Sequence, residues 1–165
     1  MIDDERIRRS LTQTGLVNGE RVLELEAFAR SRALPLYRAA IASGVVTEPL
    51  LVSNLAAALG VPSVSLENFT AKPALVDLLP ADVVRRHRVV PVGLKPRDGE
   101  TTLFVAMEDP QDLDALEAIS MRCPYPVVPL LAGPFDLDAA VARVYPTVPP
   151  SPRSSSQGPF LAEAP

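Results

Sequence analysis

The chain has 165 residues, 16 basic against 20 acidic side chains, a net charge of −4, a pI near 5.0, and a mean hydropathy of +0.16 with 47% hydrophobic residues, enough to build a core. This acidic balance leaves no basic surface of the kind phosphate-backbone binding needs, and no apolar run reaches the length of a membrane-spanning helix, so neither nucleic acid nor direct membrane insertion is expected. Cys123 and His87 are the single cysteine and histidine, which excludes an intramolecular disulfide framework and a multi-cysteine zinc site and leaves almost no room for a Cys-His or Ser-His-Asp nucleophile.

In chain order, residues 1–9 are charged from Asp3 onward and lack the apolar core of a signal peptide, so a cytoplasmic chain is expected. Ile7 and Leu11, spaced i to i+4, predict a short helix over Glu5–Thr14 that ends before Gly15. After Leu16-Val17, Asn18 is a good N-cap for a helix from Gly19 to about Arg32, with Val22, Leu23, Leu25 and Phe28 to place. The pattern then recurs. A short apolar helix runs from Pro35 to Ser43, then come Gly44, Val45-Val46, the N-cap Thr47, and a helix with Glu48-Pro49 in its first turn that stops at Gly60. Gly15-Leu16-Val17-Asn18 and Gly44-Val45-Val46-Thr47 correspond at an offset of 29 residues, an internal repeat of a helix-turn-helix unit.

Beyond Val61-Pro62 the reading changes. Ser63–Leu66 alternates like a short strand, and Lys72–Leu79 and Ala81–Arg86 read as short helices separated by Pro80. Val89–Leu94 and Thr102–Met107 flank Asp98-Gly99, a strong hairpin signal, with Val90, Val92 and Leu94 expected on one face and Leu103, Val105 and Met107 on one face of the partner strand. Asp109-Pro110 should cap and start a helix over Gln111–Met121, whose first-turn acids Asp112 and Asp114 suit the positive helix end better than a cation site. Val127–Leu131 reads as an edge strand because of Pro126 and Pro129, and Phe135–Tyr145 as a last helix with Phe135, Leu137, Val141 and Val144 spaced for burial. From Thr147 to Pro165 the composition is that of a disordered Pro/Ser-rich tail. The fold class is therefore α+β: a helical repeat subdomain over 1–60, then a small α/β subdomain over 61–146 with a three- to four-stranded, mostly antiparallel sheet.

The segments LAAALGVPSVSLE, LLPADVVRRHRVVPVGL, LFVAMEDPQDLDALEAI and VVPLLAGPFDLDAAVARVY, in that order, resemble the N-terminal domain of the type II secretion and type IV pilus assembly ATPases. The resemblance spans residues 6–146. Its most specific stretch runs from Leu79-Pro80 through Arg85-Arg86-His87-Arg88 into Val89–Leu94 and the Ala106-Met107-Glu108-Asp109-Pro110 turn. It implies a bacterial module, consistent with the Arg- and Ala-rich composition of a GC-rich genome, that docks an ATPase onto a partner at the inner membrane.

Some members of that family bind cyclic di-GMP through tandem copies of R-L-G-x-x-L-x-x-x-G-L-[LVI], closing in L-x-x-Q. The first repeat matches at Arg6, Leu11, Gly15 and Leu16, with Ile7-Arg8 where Leu-Gly is expected. The second keeps Leu36, Gly44 and Val45 but has Pro35 at the arginine position and Tyr37 at the glycine, and Ala29 and Ala58 stand at the closing glutamines. If the nucleotide binds, the resemblance assigns it to Arg6, Arg8, Arg9, Leu11, Gly15, Leu16, Gly44 and Val45. Arg85, Arg86 and Arg88, at a predicted helix C-terminus where the dipole favours cations, are the candidates for an acidic partner surface. No G-x-x-x-x-G-K-[ST] occurs in the sequence. The expectation is a non-catalytic, cofactor-free protein-binding adaptor, with a cyclic di-GMP sensor as the alternative.

Overall fold

Residues 4–60 form four helices, each stopped at a glycine or left-handed residue. In the computed structural model, which describes residues 2–146, α1 (Asp4–Gln13) begins where the Asp3 carboxylate accepts the Glu5 amide proton at 3.1 Å. α2 (Gly19–Arg32) begins where the Asn18 side chain accepts from the Arg21 amide at 2.9 Å. α3 (Leu36–Ala42) and α4 (Glu48–Leu59) follow, with Pro49 in the first turn of α4. Thr47 occupies the N-cap of α4, but its side chain makes no cap bond.

The turns at Gly15 and Gly44 have φ of +70° and +77°, and their amides donate to Thr12 O and Ile41 O, the same bond 29 residues on. Behind the turns the apolar positions also correspond. Ile7, Leu11, Val17 and Val22 match Leu36, Ala40, Val46 and Leu51, and all are buried in one cluster that also takes in Leu131 from the second half of the chain. Each Leu or Ile side chain buried there contributes about 1.5–3 kcal/mol, so the repeat is held by its shared core.

The second half comprises α5 (Pro73–Val76), α6 (Ala81–His87), β1 (Val89–Arg97), β2 (Glu100–Met107), α7 (Leu113–Arg122), β3 (Val127–Leu131) and α8 (Pro134–Val144). Asp98 and Gly99 both take positive φ, +50° and +85°, which makes the hairpin connection a type I′ turn. The sheet order is β1-β2-β3. The antiparallel β1–β2 ladder is eight residue pairs long against five for β2–β3, but that second pairing is parallel, because α7 carries the chain back before β3 begins. The sheet is thus mixed, with its longer ladder antiparallel.

Several local expectations need correction. Ser63–Leu66 makes one isolated bridge, Ser63 to Leu131, and goes no further because the Leu66 amide donates to the Asp136 carboxylate at 2.5 Å. Val90, Val92 and Leu94 do not share a face. Val92 is the extra residue of a bulge between the Pro91–Val105 and Gly93–Phe104 pairs, so Val90 and Val92 pack with Leu66, Ala106 and Leu137, whereas Leu94 joins Leu103, Val105 and Met107 on the opposite side. Both faces of the hairpin are therefore covered. α7 starts two residues later than expected and is capped by Asp112, which accepts from the Ala115 amide at 3.1 Å; Asp109 instead accepts from the Gln111 amide. Phe135 is part-exposed, with the Arg38 guanidinium 5.5 Å from its ring centre. The tail expected over 147–165 lies outside the described residues.

Candidate functional site

The repeat places its two glycine turns at equivalent ends of two helical hairpins, so the surroundings of Arg6, Arg8 and Arg9 decide what the first turn can do. All three arginines lie on the exposed side of α1, opposite buried Ile7 and Leu11. Each one is engaged within the chain. Arg6 donates to the Gln111 side chain just before α7, Arg8 is forked between Glu26 of α2 and Glu5, and Arg9 lies 3.7 Å from Glu5. The hydrogen bond and charge of Glu26 hold the Arg8 guanidinium above its ordinary pKa. Leu11 is buried, Leu16 half-buried, and Gly15 exposed. A cleft between α1, α2 and the start of α3, lined by Asp4, Arg8, Glu26, Ala29, Arg30 and Leu36, carries cations and carboxylates side by side.

In the second repeat, Gly44 is exposed and Val45 half-buried, and Tyr37, at the motif's glycine position, is fully buried. Val45 lines a cleft with Arg21, Glu24 and Phe28 that is separate from the cleft at Arg8.

The basic run at the end of α6 divides. Arg85 donates to the Tyr145 carbonyl at 2.7 Å, Arg86 is exposed, and Arg88 takes a left-handed φ of +55° that turns its guanidinium onto Asp138 of α8, 3.7 Å from Glu108. Arg38 of α3 meets the same two carboxylates, donating to Asp138 at 2.9 Å and to Glu108 at 3.3 Å. Burial and the neighbouring Arg38 push the Arg88 pKa down, and Glu108 opposes them. The result is a charge-balanced quartet, Arg38, Arg88, Glu108 and Asp138, between the helical repeats and the sheet. Glu108 is 8% exposed, and its Oε1 and the Tyr37 hydroxyl are buried without a hydrogen-bond partner among the described residues.

A second polar junction lies next to the quartet. Glu48 of α4 caps α8, its Oε1 accepting the amide protons of Phe135 at 2.8 Å and Asp136 at 3.0 Å. Sequence reasoning passed over Arg38, Glu48, Glu108 and Asp138. Their signal was weak but present for Arg38, the lone charge in the short apolar helix LYRAAIA. Among the described residues no group of three or more His, Cys, Asp or Glu is placed to hold a metal, and no helix is long and apolar enough to cross a membrane.

Comparison with known proteins agrees with this architecture. The type IV pilus assembly ATPase PilB of Myxococcus xanthus (strain DK1622) is 26% identical over 140 residues, 85% of this chain but only 24% of that protein's length. The structure of MshE with cdg, cyclic di-GMP, is similar at a TM-score of 0.63 and 28% identity, covering 84% of this chain and 98% of that one. The N-terminal domain of XpsE shares the fold at a TM-score of 0.60 and 20% identity, covering 88% and 98%. The MshEN domain profile matches residues 59–150, the sheet and the helices around it. That match covers more than half of the chain; the chain belongs to the MshEN domain family, homologous to the N-terminal domains of type II secretion and type IV pilus ATPases.

Proposed function

We propose that this chain is a non-catalytic adaptor that joins a secretion or pilus ATPase to a protein component of the same machine. In this reading residues 1–60 are the helical recognition part, 61–146 the α/β part that carries it, and the module works in the cytoplasm, reaching the inner membrane only through its partner. Family membership supports it, because the matched domain is the N-terminal part of these proteins and not their ATPase part. The observation that carries it over the alternative is the pairing of Arg6 with Gln111 and of Arg8 with Glu26 and Glu5. A cyclic dinucleotide would have to displace those groups to reach the guanidinium donors, whereas a protein surface can exchange one carboxylate for another.

The test is affinity purification of the tagged chain from its native cell. Recovery of a secretion or pilus component supports the adaptor, and recovery of none counts against it. Steady nucleotide hydrolysis by the pure chain would overturn the non-catalytic part of the reading. The second reading, a cyclic di-GMP sensor, is favoured by the likeness to MshE with cdg. Titration calorimetry decides it: micromolar or tighter binding that is lost in Arg6→Ala would establish the sensor.

A further inference from the structure

The two repeats share a core but use their outer faces differently. In the second repeat, two polar side chains hold the beginning of α8 and an apolar one borders the cleft beside it. Arg38 lies over the Phe135 ring and donates to Asp138, Glu48 accepts the Phe135 and Asp136 amides, and buried Val52 lines the same cleft as Gly133 and Asp136. Their counterparts 29 residues earlier are Arg9, Gly19 and Leu23. Here nothing is held. The Arg9 side chain is 62% exposed with Glu5 at 3.7 Å as its ion pair, Leu23 is 65% exposed, and nothing lies within 4 Å of where a side chain at Gly19 would start.

The core positions of this hairpin match those of its twin, so the outer residues stand in the same relation to one another. A cation, a gap and a large exposed apolar group occupy the places that in the second repeat belong to Arg38 and Glu48, which grip α8, and to Val52 at the cleft beside it. We infer that the Arg9–Gly19–Leu23 face is the docking surface for an amphipathic helix of a protein partner, whose first turns carry an aromatic or large apolar side chain followed three residues later by a carboxylate, as Phe135 and Asp138 do in α8. Charge complementarity sets the carboxylate, because Arg9 gives up only a long, exposed pair with Glu5 to take it. Gly19 leaves room where Glu48 stands in the twin, so the arriving helix brings its own N-cap. Leu23 supplies the apolar contact. This inference rests on the adaptor reading above and names the surface that serves it.

The test uses the full chain, isotopically labelled for NMR, titrated with a synthetic peptide copying Gly133–Arg143. Amide shifts centred on Arg9, Gly19 and Leu23 are expected, with affinity falling about tenfold or more in Arg9→Glu and in Leu23→Ser, and falling likewise when the peptide carries Phe135→Ala and Asp138→Asn. Both chain substitutions are at exposed positions, and circular dichroism checks that they fold. The inference is overturned if the shifts miss this face, if they centre on Arg38 and Glu48 because the peptide displaces α8, or if neither substitution changes them. A concentration-dependent dimer abolished by Arg9→Glu would assign the face to a second copy and also overturn it. If the chain carrying both Arg9→Glu and Leu23→Ser still recovers the same secretion or pilus component as the wild type, the adaptor reading stands and this surface fails; if the wild type recovers none, the adaptor reading itself fails.

Discussion

Gly133 is required for a steric reason. Its φ is an ordinary −67°, but a Cβ placed there would overlap the Glu48 side chain that caps α8. Gly133→Ala should therefore push Glu48 off the Phe135 and Asp136 amides and cost about 1 kcal/mol, the usual worth of a helix cap. Glu48→Ala should cost about the same, and the two together hardly more than either, since both remove one interaction; urea denaturation of the four proteins measures the cycle. Tyr145 carries a pH consequence. Burial first, and then the charge of Asp77, raises its phenol from 10.0 to about 12. The unfolded chain ionises first, so this contribution is intact below pH 10 and is lost as pH rises from about 10 to 12. Tyr37 is raised in the same direction, by burial and then by Glu108 and Glu48 against the opposing Arg38. Tyrosinate absorbance from these residues should rise together with the loss of helical circular dichroism, and Tyr145→Phe should make the alkaline loss of stability smaller.

At the scale of the element, the backbone dihedrals separate positions that need glycine from positions that would gain from it. Gly99, at φ +85° in the type I′ turn, fixes which residues of β1 and β2 face each other, and Gly99→Ala should destabilise the fold by about 1–2 kcal/mol. Ala33 closes α2 at φ +54°, in the left-handed region, with its amide bonded to the Ala29 and Arg30 carbonyls. Ala33→Gly should accordingly raise stability by about 1 kcal/mol, read as a higher urea midpoint with an unchanged slope. Hairpin existence was legible from Asp98-Gly99 between the apolar runs Val89–Leu94 and Thr102–Met107. Its facing pattern was not, because the bulge at Val92 depends on what both sides of the sheet pack against, and period-two counting cannot see an inserted residue.

At the scale of the whole molecule, the quartet of Arg38, Arg88, Glu108 and Asp138 joins the helical repeats to the sheet. Arg38 and Glu108 side chains are only 13% and 10% exposed, so deleting one partner strands a charge in a largely buried place. Arg38→Ala should cost about 3 kcal/mol, and pairing Arg38→Met with Glu108→Gln should recover much of that loss by removing both charges. Thermal denaturation of the single and double variants gives the comparison. The same junction distinguishes the two repeats: the second places Arg38 and Glu48 on α8, and the first keeps Arg9 and Leu23 exposed.

Local chemistry already settles much in the chain itself. Periodic apolar residues, the Asn18 cap, the glycines at 15, 44 and 60, and the Asp98-Gly99 turn act within a few residues of themselves, so the helices, the hairpin, the 29-residue repeat and the α+β class can be read from the linear order. The order of the motifs likewise carried the family. Which arginines are available was decided only in three dimensions. Arg6 meets Gln111, Arg38 meets Asp138, and Glu48 meets the α8 amides across 105, 100 and about 87 residues of chain. Pairings at that separation leave no periodic trace in the sequence, because their geometry is set by how two packed cores come together.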